Sequence, residues 1–168
     1  MIKCIFLDRD GVINKDTGYV YEFSKIIWNK KIFKTIKFIK KKKIKICVIT
    51  NQSGVARGYY TERHVIKLHK KMNNFIFKRT GYRIDNFEYC PYLRSAKIKK
   101  YKKDSYRRKP NAGMINDYLK KENLEKKTCL LFGDRYTDIL CAKNAGIKGY
   151  LTKNKDIYKL VKNKIFYK

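Results

Sequence analysis

The sequence predicts an α/β fold, a parallel sheet covered by helices on both faces. Two observations carry this. Short apolar runs rich in β-branched and aromatic residues alternate with segments of helical period, the order that builds parallel strands joined by crossover helices. No repeat and no Pro/Gly/Ser-rich linker divides the 168 residues, a length that suits one domain with a single good core.

Lys3–Leu7, Ile44–Ile49, Asn86–Cys90 and Cys129–Phe132 read as buried strands, with Gly149–Leu151 a weaker fifth. Ile32–Lys41 carries apolar residues at helical spacing. Thr61 suits the N-cap of a longer helix running to about Arg79, with Gly81 as its stop. Pro110 fits the first turn of a third helix, with Met114, Ile115, Tyr118 and Leu119 on its inner face. Tyr136–Asn144 makes a fourth, closed by Gly146. Residues 1–152 hold these elements, and 153–168 form a basic tail expected to pack as a helix or extension of the same domain. Two segments are irregular, Arg9 to about Asn29 and Pro91 to Lys109. Both leave from carboxyl ends of strands, where open α/β sheets bind ligands.

Charge is the extreme feature: 43 Lys+Arg against 14 Asp+Glu, a net +29. Such a field draws phosphates, nucleic acid or anionic lipid alike. The lysines are scattered from Lys3 to Lys168, and Ile, Asn, Tyr and Phe are abundant beside them. That pattern reads as A/T-rich coding bias with a general attraction for phosphate, so nucleic acid is not a required partner. Hydrophobic content of 43% argues against disorder. The five cysteines are odd in number and lack C-x-x-C spacing, which suits a reducing cytosol. Met1–Leu7 is too short for a signal peptide and no apolar run approaches a membrane span. A cytoplasmic protein without membrane attachment, and a monomer, is expected.

Three of the strand ends carry a polar cluster. The first runs Asp8-Arg9-Asp10-Gly11; two carboxylates so placed repel unless a hard cation such as Mg2+ holds them, although an Asp-rich turn reads equally well. The second runs Thr50-Asn51-Gln52-Ser53-Gly54, a set of donors for phosphate oxygens or an ordinary polar turn. Lys109, ahead of Pro110, offers a positive charge. The fourth strand ends in Gly133-Asp134-Arg135-Tyr136-Thr137-Asp138. Asp134 would complete a cation site with Asp8, and Asp138 would be a structural charge in a helix's first turn.

In this order, Asp-x-Asp-Gly, Thr-Asn, Lys-Pro and Gly-Asp-x-x-x-Asp resemble the haloacid dehalogenase (HAD) superfamily of phosphatases over about Lys3 to Leu151. Gly18-Tyr19-Val20-Tyr21-Glu22, Thr50 to Gly58 and Arg108 to Met114 resemble the D,D-heptose 1,7-bisphosphate phosphatases in particular, with histidinol-phosphate phosphatases as siblings. The resemblance implies a three-layer Rossmann-like fold of about five parallel strands without a large cap domain. It implies Mg2+-dependent removal of the 7-phosphate of a sugar bisphosphate, a step in making heptose precursors for surface polysaccharide. Asp8 would be the nucleophile that forms an aspartyl-phosphate and Asp10 the general acid and base. Asp8, Asp10 and Asp134 would hold Mg2+, and Thr50 and Lys109 the phosphoryl oxygens. Asp16, Thr17, Gly18, Tyr19, Asn51, Gln52, Ser53, Arg57, Arg108 and Arg135 would bind substrate, Arg135 standing where the family more often has lysine. Histidinol phosphate or another small phosphate monoester is the alternative substrate. A nucleic-acid 3′-phosphatase, or a nonenzymatic nucleic-acid-binding protein on the same scaffold, is the alternative that would use the charge.

One departure stands out. In this family the loop before Arg-Lys-Pro usually holds a structural zinc through Cys-x-His and, later, Cys-x-Cys. Here only Cys90 remains; Tyr92, Ser105 and Arg107 occupy the other positions. No zinc is expected, and the loop should be held by packing or be mobile.

Overall fold

The computed structural model describes residues 1–166. Five parallel strands form one sheet in the order β3-β2-β1-β4-β5: β1 Cys4–Leu7, β2 Lys45–Asn51, β3 Asn86–Cys90, β4 Cys129–Gly133 and β5 Lys148–Leu151. Strand order reverses at β1, whose neighbours are β2 on one side and β4 on the other. A crevice opens at such a reversal, beyond the carboxyl ends of the strands. No described helix is long and apolar enough to cross a membrane.

Alternation along the strands divides the core. Ile5, Leu7, Ile46, Val48, Leu130 and Phe132 face one layer, built by helices α1 (Ile32–Lys41), α3 (Glu62–Thr80) and α6 (Ile157–Phe166). Cys4, Phe6, Cys47, Ile49, Cys129 and Leu131 face the other, built by α4 (Gly113–Lys121) and α5 (Tyr136–Ala145). Period two in the strands and 3.6 in the helices thus meet at both faces. All five cysteines are free and buried, so each serves as a small core residue. The tail joins the domain through Ile157 and Val161, which α6 buries in the first layer.

Helix ends follow local chemistry. The Thr61 amide donates to His64 Nδ1 at 3.1 Å, so histidine takes the place that Glu or Gln usually holds in a capping box. Gly81 and Gly146 end α3 and α5 in the left-handed region, at φ 79° and 72°.

Two expectations shift. β2 runs two residues beyond Ile49, so Thr50 and Asn51 pair with Tyr89 and Cys90 of β3 and are fixed on a strand. Pro110 does not open a helix: α4 begins at Gly113. The preceding chain spends its amides on a turn instead, Arg108 N–H donating to Ser105 O, Asn111 N–H to Arg108 O and Gly113 N–H to Tyr106 O. Gly113 is required there, since a Cβ would lie 2.4 Å from the Tyr106 ring. A short helix, α2 (Gly54–Arg57), also forms directly after the Thr50–Ser53 cluster.

Ile36 is fully buried on α1 against the sheet. Ile36→Ala should lower the unfolding free energy by about 2–5 kcal/mol in urea denaturation. A loss under about 1 kcal/mol would mean that the layer closes over the cavity.

Candidate active site

The Lys109 ammonium lies at the floor of the crevice, 5% exposed. Its three N–H groups meet three acceptors: Asp8 Oδ1 at 2.8 Å, Asp138 Oδ1 at 2.7 Å and the Ile49 carbonyl at 3.1 Å. An ammonium has three donors, so this set satisfies it. Burial would lower the affinity of Lys109 for its proton, but Asp8 and Asp138 outweigh burial and push the pKa up. Asn51 holds the backbone of the same residue: its amide donates to Lys109 O at 2.9 Å and accepts from Lys109 N–H at 3.0 Å. Asn51, expected on substrate, therefore aligns the lysine. Asp138, read as a structural helix charge, belongs to the site. It also accepts from Arg135 N–H at 3.1 Å, so it caps α5 and pairs with Lys109 together.

Oxygens of Asp8, Asp134 and Asp138 lie within 4.8 Å of one another. Of these three carboxylates, Asp8 and Asp138 share the Lys109 ammonium and Asp134 does not. Burial pushes the Asp8 carboxyl up to about 7 against the pull of Lys109. Asp134 is also raised, first by burial and then by Asp138. Among the described residues, each of the 14 acidic side chains except Asp134 has a Lys or Arg nitrogen within 4.0 Å. In a chain of net +29 that exception is informative. Asp134 Oδ1 is also buried without a hydrogen-bond partner. Gly11, at φ 91°, makes room for it: a Cβ there would stand 2.1 Å from Asp134 Oδ2. The unmatched charge and orphaned hard oxygen fit a divalent cation with oxygen ligands.

Asp10 is held differently. The Arg9 guanidinium, fully buried, donates to Asp10 Oδ1 at 3.1 Å and Oδ2 at 2.9 Å. Asn14 donates to Oδ1 at 2.9 Å and Gln52 to Oδ2 at 3.1 Å. Burial alone would raise the Asp10 carboxyl, but Arg9, Asn14 and Gln52 together hold it below the usual carboxylate range. Behind Arg9 stands His69 on α3, with Nε2 3.2 Å from NH1. Burial, then Arg9, holds the His69 pKa well below its ordinary value, so the ring is neutral and accepts. Gln52 donates to Thr50 Oγ1 at 2.9 Å as well, and Tyr60 donates to Gln52 Oε1 at 2.7 Å. Its side-chain amide is thus engaged by Asp10, Thr50 and Tyr60 while it lines the crevice.

The crevice above encloses about 500 Å3 and is lined by Asp8, Asp10, Asp16, Gly18, Tyr19, Thr50, Asn51, Gln52, Ser53, Arg108, Lys109 and Arg135, together with Tyr60, Thr137 and Asp138. Asp16 and Arg135 form an ion pair at its mouth, and Tyr19 packs edge-on against Tyr59. Arg108 donates to the Tyr92 carbonyl at 3.1 Å. Two expected substrate contacts fall outside this lining. Thr17 is exposed beside it, and Arg57, on α2, leaves its Nε buried without a hydrogen-bond partner.

Arg9, Asn14, Tyr60 and His69 were not foreseen. One signal existed for His69: Val65, Leu68, Met72 and Ile76 mark the buried stripe of α3, and His69 lies on it. Arg9, between two aspartates, had the charge for their counter-ion, but nothing local tells which one it takes.

Comparison with known proteins agrees with this geometry. Residues 106–157 match the HAD-hydrolase-like family model. The chain is 38% identical to the D-glycero-alpha-D-manno-heptose-1,7-bisphosphate 7-phosphatase of Photorhabdus laumondii, over 87% of this chain and 79% of that one. It is 36% identical to the D-glycero-beta-D-manno-heptose-1,7-bisphosphate 7-phosphatase of Rhodopseudomonas palustris, over 94% and 87%. In fold it resembles the D,D-heptose 1,7-bisphosphate phosphatase of B. bronchiseptica, solved with magnesium and phosphate, at a TM-score of 0.86, 23% identity and 98% coverage of both chains. With its strand-end carboxylates, its buried lysine and relatives of this likeness, the chain belongs to the D-glycero-D-manno-heptose-1,7-bisphosphate 7-phosphatase family of HAD-type phosphatases.

Proposed function

We propose that the protein is an Mg2+-dependent phosphatase that removes the 7-phosphate of D-glycero-D-manno-heptose 1,7-bisphosphate, working as a cytoplasmic monomer in the supply of heptose for surface polysaccharide. The observation that carries the reading is Asp134, the single acidic side chain without a Lys or Arg partner among the described residues, with an oxygen within 4.8 Å of those of Asp8 and Asp138. Relatives are named for the alpha and for the beta anomer, and the 7-phosphate is common to both.

Asp8 and Asp134 would hold Mg2+, together with the Asp10 carbonyl. When bound, the ion supplies positive charge to the nucleophile and the phosphoryl oxygens, worth several kcal/mol in such reactions. An Asp8 carboxylate oxygen attacks phosphorus in line, the bond from phosphorus to the sugar oxygen breaks, and that oxygen takes a proton from Asp10. Water then attacks the aspartyl-phosphate while Asp10 takes its proton, releasing phosphate and restoring Asp8.

Asp10 is suited by its four contacts to the second half of this cycle, since they favour its ionised form. For the first half its proton sits on an oxygen now occupied by a donor, so one of these contacts opens when substrate enters. Lys109 has no free N–H to offer. It acts on the phosphoryl group through charge, and by fixing Asp8. Thr50, Ser53 and backbone amides remain for direct hydrogen bonds. Arg108 and Arg135, with Asp16 and Tyr19, shape the mouth for the remainder of an anionic sugar.

Asp8→Asn should lower turnover by at least about 10^3-fold while the circular dichroism spectrum stays unchanged; appreciable turnover in this variant would remove Asp8 as nucleophile. In a panel with Mg2+, kcat/KM for the heptose bisphosphate should exceed those for histidinol phosphate and a 3′-phosphorylated oligonucleotide by more than about tenfold, or ~1.4 kcal/mol. EDTA should abolish activity and Mg2+ restore it. Faster turnover of either competitor would overturn the sugar assignment.

A further inference from the structure

We infer that Arg107 fastens the 91–109 loop in place of a metal, by pinning it to Glu88 and Asp117, and that this pin sets Arg108 for substrate. The side chains at the positions where the resemblance would place a zinc do not fit that ion. Cys90 offers one thiol, fully buried in the core. Tyr92 packs its ring toward Tyr101, with centroids 6.1 Å apart. Ser105 Oγ accepts from Arg107 N–H at 3.2 Å. A guanidinium keeps its charge and has no lone pair to give. Zinc takes four N or S ligands in a structural site, and this set supplies one.

Arg107 does the mechanical work of such an ion by another chemistry. One arm of its guanidinium donates to Glu88 on β3, the other to Asp117 on α4. These two elements are the ones the loop connects. The Arg107 side chain is 25% exposed, Glu88 20% and Asp117 36%, so the bonds are charge-assisted and partly shielded from water. By contrast Arg94–Asp104, in the same loop, is 80% and 60% exposed and contributes little. Tyr106 adds its hydroxyl to Asp117 at 3.0 Å.

Elsewhere the loop is stitched by backbone amides and tyrosine hydroxyls. The Ala56 carbonyl accepts from Lys97 and Ile98 N–H at 3.0 and 3.1 Å. Tyr89 and Tyr101 donate to the two oxygens of Glu62 at 2.7 and 2.8 Å. The segment joining this stitched part to the active site is held by Arg107. Lys109 has its own anchors in Asn51, Asp8 and Asp138. Arg108 stands between, its side chain making one hydrogen bond, to Tyr92 O. Loss of the pin therefore reaches Arg108 and spares Lys109.

The test compares the wild type with Arg107→Met and Arg107→Lys by elemental analysis, by hydrogen exchange over residues 91–112 and by kinetics on the heptose bisphosphate; only the kinetic arm rests on the proposed function. Protein purified in the presence of zinc should carry less than about 0.1 equivalent. Arg107→Met should speed exchange in the loop by about tenfold or more, and Arg107→Lys, which keeps the charge but not the fork, by less. KM should rise about fivefold or more in Arg107→Met with kcat within about twofold, and Arg107→Lys should recover part of it. One zinc per chain, or unchanged exchange in Arg107→Met, overturns the pin. Faster exchange with KM unchanged overturns its link to Arg108. If the wild type hydrolyses no phosphomonoester, the proposed function fails, while zinc content and exchange still decide the pin.

Discussion

One buried ammonium ties the active site together. Lys109 arrives from the loop after β3 and satisfies its donors on Asp8 after β1, the Ile49 carbonyl on β2 and Asp138 on α5. Removing a charge from water is costly unless partners replace the lost hydration, so the geometry around Lys109 is over-determined. Asn51 grips its backbone from both sides. Gly133 leaves space for Asp138, since a Cβ at that glycine would lie 2.2 Å from the Asp138 Cβ. The sheet order places β1 between β2 and β4 and so brings these groups to one point.

From that arrangement the division of labour among the carboxylates follows. Asp8 and Asp138 share the lysine, Asp10 belongs to Arg9, and Asp134 is left over. A surface field of net +29 does not reach this count, because the remaining acidic groups each have a nearby cation and Asp134 has none among the described residues. Electrostatic demand for a cation is therefore local, although the chain as a whole is strongly basic. The same excess of positive charge gives a field that attracts anions, and Arg108 and Arg135 line the crevice.

The loop from 91 to 109 shows how ion pairs and hydrogen bonds can hold a long connection. Its anchors are spread over α2, α3, β3 and α4. Of the two expectations for it, packed or mobile, packing is met in part through buried Ala96 and Tyr101, and polar contacts add to it. Its Ala96 and Tyr101 join Val55, Ala56, Tyr60 and Val65 in a small buried cluster apart from the two layers on the sheet.

By itself the sequence determined the five strands, the main helices and the identity of the strand-end carboxylates. These rest on period, capping and short motifs, which are local and survive without knowledge of neighbours. Even there, β2 ran past Ile49 and α4 began after Pro110, because a neighbouring strand and a hydrogen-bonded turn decided the ends. Only the tertiary structure decided which polar group meets which. Arg9 chose Asp10 and His69, Gln52 chose Thr50 and Asp10, Asn51 met Lys109 across 58 residues, and Arg107 found Glu88 and Asp117. Such choices turn on where a side chain is buried and what acceptor remains open there, and that is settled when the elements pack.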